Sequence, residues 1–252
     1  MKKIFTLLSV AAVSVAFAQK INVNKDQLQS SYNEAGTPDA VYSDNGSKAE
    51  QSIIQYSDPQ VFSDSTPLCQ SRTPGEPVKN HDSRFFDLTT AGIDGDFKIT
   101  KVEFATSVYN GVTFDATVAV LPSGVDVTAD EIPMSMDDLV EDAYGSITVP
   151  AGQTAWHTIE FFEPYTIPAG SKFGAAVGYS FVNGGDSRAW FGNNDKPQTA
   201  HSYIGWPGSE CVTDEGAISL ASLGFPDVSW LLHVTGETSL GTVELGLSLI
   251  HI

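Results

Sequence analysis

Apolar residues recur at every second position in three stretches of the chain, 114–120, 173–181 and 228–234, with mainly polar or small residues between them. Alternation of this length predicts β-strands that bury one face against a core and leave the other face near solvent. We therefore expect the large apolar side chains of these stretches to share one core between two sheets. They are Phe114, Val118, Val120, Phe173, Val177, Tyr179, Trp230, Leu232 and Val234.

Two further stretches depart from simple alternation. Between residues 97 and 109 the apolar positions change parity, which predicts a β-bulge inside one continuous strand. Residues 156–162 are apolar on both parities, which is typical of a strand that is covered on both faces. Turn-forming pairs such as Asp94-Gly95 and Asn110-Gly111 separate the predicted strands.

This pattern of short strands predicts one all-β domain, an antiparallel jelly-roll β-sandwich over residues 58–236. Residues 130–142 carry the one helix-like pattern, and we interpret them as an excursion on the rim of the sandwich. Residues 19–57 are polar, with few large apolar side chains, and are predicted to be a linker or loosely attached arm.

The first 18 residues have the pattern of a secretory signal peptide. Lys2 and Lys3 precede an apolar segment at 4–15, and Ala16-Phe17-Ala18 supplies a cleavage site of the small-x-small type. The alternative, a membrane anchor, needs about 20 apolar residues, which is longer than this segment. We expect an exported protein, at the outer cell surface or extracellular, with Gln19 as its mature N-terminus.

The segment 237–252 is predicted to be a linker that leaves a finished domain. Within it, residues 239–244 resemble the lead-in to a type IX secretion sorting domain. Residues 247–252 resemble the translation of a sequencing adapter, which suggests a truncated reading frame. Together with the signal peptide, these resemblances imply a type IX cargo that has lost its sorting tail.

Composition narrows the classes of partner. The chain has 13 basic and 31 acidic residues and a net charge of −18, which disfavours binding to nucleic acid or to anionic lipid. Cys69 and Cys211 are the two cysteines, and in an exported chain they are predicted to form a disulfide. We expect no cofactor, apart from a possible structural Ca²⁺ held by Asp94 and Asp96 at a turn.

Seven short segments resemble a non-catalytic β-sandwich domain of secreted bacterial proteins, often found beside metallopeptidase or adhesin modules. The segments are 84–88, 95–104, 198–200, 202–203, 211, 224–227 and 233–236. The resemblance spans residues 81–236 and implies an accessory or cell-surface role. It supplies no catalytic residues.

Motifs for hydrolytic chemistry are absent from the sequence, which has neither His-Glu-x-x-His nor Gly-x-Ser-x-Gly. A glycosidase stays open as an alternative, because two carboxylates facing each other across about 5–9 Å would be enough. The carboxylates that a concave sheet could bring together are Glu103, Asp115, Glu160 and Glu163.

A non-catalytic binding or adhesion module for glycan or protein is the function we favour. The predicted glycan platform is Trp206, in a loop bounded by Gly205 and Pro207, since sugars stack on exposed indole rings. Its predicted companions are Tyr203, Trp190, Asn193 and Asn194. The alternative positions for these aromatic residues are in the core. A domain with a purely structural, accessory role is the remaining possibility.

Overall fold

A computed structural model describes most of the chain. The described ranges are 28–32, 50–59, 65–69, 75–134, 144–182, 188–206 and 216–238. They contain β-strands and no helix. The predicted signal peptide, the tail after residue 238, Cys211 and the side chain of Cys69 lie outside the described part, so the disulfide stays a prediction.

Most strands belong to two sheets. In chain order they are β1 Leu28–Tyr32, β2 Glu50–Ile53, β3 Ser65–Cys69, β4 Pro77–Asp87, β5 Phe97–Asn110, β6 Val112–Val120, β7 Glu131–Pro133, β8 Tyr144–Val149, β9 Gly152–Ile167, β10 Lys172–Val182, β11 Arg188–Phe191, β12 Asn193–Asn194, β13 Tyr203–Ile204, β14 Gly216–Ser219, β15 Ser229–Trp230 and β16 Leu232–Thr238.

The larger sheet has seven strands in the order β7-β14-β13-β4-β10-β6-β8. The smaller sheet has the order β11-β5-β16-β2, and β9 pairs with β5. All recorded pairings are antiparallel, so the all-β antiparallel class is confirmed, whereas the jelly-roll connectivity stays a prediction. Gly111, with φ of 59°, carries the chain directly from β5 in the smaller sheet to β6 in the larger one.

The main core lies between the two sheets and contains the residues that alternation predicted. Phe114, Phe173 and Trp230 are each 0% exposed. Val120 is partly buried and packs against the same cluster. The hydrophobic effect accounts for this arrangement, because every second side chain of each strand must leave water together.

The predicted bulge is present in β5. On the β16 side Ile99 pairs with Gly236 and Lys101 pairs with Thr235, so Thr100 is the extra residue of β5. On the β9 side Ile99 pairs with Tyr165 and Lys101 pairs with Glu160, so residues 161–164 of β9 form an excursion opposite Thr100. The excursion leaves Phe162 74% exposed, and the expectation that residues 156–162 are covered on both faces is therefore wrong at this position.

The sandwich begins earlier than residue 58. Strand β2 pairs with β16, and Ile53 is 7% exposed within the main core. Tyr56 is also 7% exposed, so a few apolar residues at the end of a polar segment suffice here, because an edge strand is held largely by its backbone hydrogen bonds. In the predicted rim excursion, residues 131–133 form strand β7, and residues 135–143 lie outside the described ranges.

Candidate functional site

The predicted aromatic platform is not on the surface. Trp206 is 1% exposed and stacks on Phe85 with 6.1 Å between ring centroids, and Tyr203 is 0% exposed. The Tyr203 hydroxyl lies 2.7 Å from the carbonyl oxygen of Ala129. The exposed positions predicted for Trp206 and Tyr203 are therefore wrong, because the loop that follows β6 folds over them.

The amide companions are buried as well. Asn193 donates a 2.7 Å hydrogen bond from Nδ2 to Thr66 Oγ1, and Asn194 donates from Nδ2 to the carbonyl oxygen of Asp58. Both asparagines serve to hold neighbouring segments, so neither is available to a ligand. Trp190 is partly buried in β11 and packs against the main core.

These buried residues cover half of the outer face of the larger sheet. Trp206, Val127 and Ile132 pack onto the outward side chains of β4, β10 and β6, where Phe85, Ala176 and Ala119 are 0% exposed. The other half of the same face has no such cover. Residues at alternate positions of these strands point outward; those under this cover are buried, and the others face solvent.

We call the uncovered half the open shelf. It is formed by outward side chains of three adjacent strands, β10, β6 and β8, that are polar or solvent-exposed. They are Thr113, Asp115 and Thr117 on β6, Tyr144, Ser146 and Thr148 on β8, and Ser180 and Val182 on β10. Thr113 and Thr148 lie opposite each other, with their hydroxyl oxygens 2.8 Å apart.

A depression of about 360 Å³ lies at one end of the open shelf. Its lining includes Thr113 and Asp115 from β6 and Ser180 and Val182 from β10. Val182 is 43% exposed, so the depression combines an apolar wall with hydroxyl and carboxylate oxygens. This combination suits a ligand that presents both C–H surface and hydroxyl groups.

Two exposed aromatic rings lie at the other end of the open shelf. Tyr144 is 40% exposed and Phe162 is 74% exposed, and their ring centroids are 6.0 Å apart. The Tyr144 hydroxyl donates a 2.7 Å hydrogen bond to Asp115 Oδ1. This hydrogen bond, with a smaller effect of burial, raises the pKa of Tyr144 above its ordinary value.

The floor of the open shelf depends on a residue without a side chain. Gly178 lies directly between Asp115 on β6 and His81 on β4 in the strand register. A Cβ atom at Gly178 would lie 2.7 Å from Cδ2 of the His81 ring, which is closer than such atoms approach. Burial, assisted by the charge of Lys79, lowers the pKa of His81 to about 3, so the ring is neutral near neutral pH.

The four carboxylates of the glycosidase alternative occupy different places. Glu103 and Glu160 lie on β5 and β9 of the smaller sheet, Asp115 is on the larger sheet, and Glu163 is in the β9 excursion. Burial opposes the ionisation of Glu103, but hydrogen bonds from His233 and Thr235 outweigh it and hold its pKa below the ordinary value. A general acid needs the opposite shift.

The turn proposed for Ca²⁺ is on the surface. Asp94 and Asp96 are both exposed, and Asp96 Oδ1 accepts a 2.9 Å hydrogen bond from the backbone N–H of Ala169. Within the described ranges, no group of three or more histidine, cysteine, aspartate or glutamate side chains is placed to hold a metal ion. The calcium hypothesis therefore stays a prediction.

Sequence reasoning named Asp115 for another reason and missed its aromatic neighbours. The signal that could have found them is the pair Phe161-Phe162, because a strand with one buried face can hide only one of two consecutive side chains. Phe161 is 6% exposed and Phe162 takes the opposite, outward position.

Among the described residues, no helix is long and apolar enough to span a membrane.

Comparison with known proteins gives a fold-level likeness. No family model matches the chain, and no curated protein matches it. The structure of the cysteine protease and lectin-like domains of Cwp84, a surface layer associated protein of Clostridium difficile, matches with a TM-score of 0.51 and 13% identity. That match covers 77% of this chain and 37% of the other, so the chain spans little more than a third of that protein's length.

A second match is to the structure of infectious bursal disease virus Gx strain. It has a TM-score of 0.24 and 10% identity over 85% of this chain and 60% of the other, which is too loose to support any argument. At such identities the likeness concerns the fold alone. This chain is therefore similar in fold, over 77% of its length, to a structure that contains a lectin-like domain.

Proposed function

We propose that this protein is a non-catalytic binding module for neutral polysaccharide, and that the open shelf is its binding surface. The observation that carries the proposal is the exposed pair Tyr144 and Phe162 beside the Asp115 carboxylate and a row of hydroxyl side chains. Sugar rings stack their C–H faces on aromatic rings and exchange hydrogen bonds with carboxylate and hydroxyl groups.

The exposure of large apolar side chains on the open shelf supports the assignment of this surface as the binding site. Three of the four large apolar side chains described as exposed, Tyr144, Phe162 and Val182, lie on or beside the open shelf. Single exposed apolar residues need no explanation, but two exposed aromatic rings in contact, Tyr144 and Phe162, point to an interaction site. The fold-level likeness to a structure with a lectin-like domain agrees with this function.

Charge points to a neutral ligand. Asp115 is a carboxylate on the open shelf, and the chain carries a net charge of −18. Uronic acids and sulfated sugars would be repelled by this field, whereas neutral polymers would not. We therefore assign neutral polysaccharides as the ligand class and expect anionic ones to bind weakly or not at all.

Affinity gel electrophoresis tests the proposal. Migration of the protein should be retarded in gels that contain neutral β-linked glucan, xylan or mannan, and retardation should be lost in Phe162→Ala and Asp115→Asn. Matched controls are Ile54→Ala and Asp195→Asn, which remove an exposed apolar and an exposed acidic side chain away from the open shelf. Equal retardation of all variants, or none for the wild type, would refute the site.

We also propose that the protein is exported, as a type IX cargo, to the cell surface or medium. The pattern of residues 1–18 and the resemblance of residues 239–244 support this. Mass spectrometry of the protein from culture medium and cell envelope should find Gln19 at the N-terminus. Recovery of the intact leader from the cytoplasmic fraction would contradict export.

A further inference from the structure

The open shelf runs across the strands and is not confined to one pocket. Its binding groups follow one another from the depression at β10, through β6 and β8, to Phe162 in the excursion of β9. The successive groups are Ser180 on β10, Asp115 on β6, Tyr144 on β8 and the ring of Phe162 beside Tyr144.

The spacing of these groups is set by the sheet. Neighbouring strands lie about 4.8 Å apart and each residue advances about 3.3 Å along a strand, so the diagonal from Ser180 to Tyr144, two strands across and four residues along, spans about 16 Å. Asp115 and Ser146 are direct partners in the β6–β8 register, and Asp115 and Gly178 are direct partners in the β6–β10 register. An extended β-linked polysaccharide advances about 5 Å per ring, so a segment of four rings laid along this diagonal would reach from Ser180 to Tyr144 and Phe162.

Resting on the proposed function, we infer that the ligand is an internal segment of an extended, neutral, β-linked polysaccharide. The segment crosses β10, β6 and β8 along the diagonal from Ser180 to Tyr144, with four saccharide rings of which the last lies on Phe162. Gly178 keeps the surface low beside Asp115 at the β10 end of the row, because this outward position carries no side chain. The terminal ring stacks on Phe162, and the neighbouring Tyr144 side chain is fixed by its hydrogen bond to Asp115.

Calorimetry with oligosaccharides of defined length tests this inference. The probes are β-1,4-linked glucose, xylose and mannose oligomers of two to six units. For the oligomer series that binds, affinity should rise about tenfold or more from the dimer to the tetramer, because each added ring meets one more group. It should then stay level to the hexamer, because the site holds four rings. Converting the reducing end to the alditol in the hexamer should leave its affinity unchanged.

Two variants divide the site by position. Phe162→Ala should lower tetramer affinity about fivefold, the value of one lost stacking contact, and leave dimer affinity within about twofold. Asp115→Asn should weaken oligomers of every length, because Asp115 lies in the middle of the row. Ile54→Ala is the matched control and should change neither.

The possible failures are distinguishable. Equal affinity for dimer and hexamer, with both still sensitive to Asp115→Asn, would overturn the extended-segment inference and leave the proposed function standing. Loss of binding on alditol formation would likewise overturn it, in favour of a chain-end pocket. No binding of any oligomer or parent polymer would refute the proposed function itself.

Discussion

The Tyr144 hydroxyl donates a 2.7 Å hydrogen bond to Asp115 Oδ1, and this contact joins the edge strand β8 to the interior strand β6 on an exposed face. It fixes an aromatic ring and a carboxylate beside each other, although they are 29 residues apart in the chain. A ligand that meets both groups need not order them first, which lowers the entropic cost of binding.

Phe162→Ala should leave the fold almost unaffected. The side chain is 74% exposed, so its removal should change the free energy of unfolding by less than about 0.5 kcal/mol. Phe173→Ala is the contrast, because Phe173 is 0% exposed and its loss should cost about 3–5 kcal/mol. Urea denaturation of both variants measures these changes, and a large destabilisation by Phe162→Ala would show that the ring is structural.

Asp82 should make stability fall as pH rises. It is 0% exposed, its carboxylate oxygens have no hydrogen bond of normal geometry, and burial raises its pKa well above the ordinary value. Tyr179 is near enough to oppose this shift, though only in part. Between a pH of about 4 and the raised folded-state pKa, the unfolded chain therefore ionises at Asp82 while the folded protein keeps it protonated, which favours unfolding as pH rises.

Asp82→Asn tests this effect, because asparagine keeps the shape and cannot ionise. The difference in free energy of unfolding between variant and wild type should shift in favour of the variant as pH rises from about 4 towards the folded-state pKa. Urea denaturation at a series of pH values measures it. A difference that does not change with pH would show that Asp82 is ionised in the folded protein.

Gly178→Ala should destabilise the protein through one specific clash. The new Cβ atom would lie 2.7 Å from the His81 ring, and overpacking of this kind costs about 1–3 kcal/mol. In the background of His81→Ala the same substitution should cost less, because the obstructing ring is gone. A double-mutant cycle by thermal denaturation measures the coupling, and additive effects would disprove the close contact.

Arg84→Lys should be strongly destabilising despite keeping a basic side chain. Arg84 is 0% exposed and donates to the carbonyl oxygen of Trp230, to Ser229 Oγ and to Gln198 Oε1. A lysine ammonium group cannot reach these acceptors with the same planar geometry, so we expect a loss of about 2–4 kcal/mol. Denaturation in urea measures this loss of unfolding free energy, and a loss below about 0.5 kcal/mol would show that the planar geometry of the guanidinium group is unimportant.

The predictions that succeeded rest on local repetition. Alternation at 114–120 and 173–181 placed Phe114 and Phe173 in the core, and the change of parity after Ile99 predicted the bulge in β5. Each follows from the two-residue period of a strand, which the chain specifies without reference to distant segments. The placement of Trp206 failed because flanking glycine and proline indicate a turn but not what covers it.

The sequence by itself determined the strands at 114–120 and 173–181, which of their faces is apolar, and the acidic character of the chain. Only the tertiary structure decided that the segment after β6 covers Trp206 and Tyr203, and that Tyr144, Asp115 and Phe162 meet on an open face. The physical reason is that burial and cross-strand contact depend on which strands become neighbours. That order is fixed by the joint packing of both sheets, while alternation within one strand is fixed by backbone geometry alone.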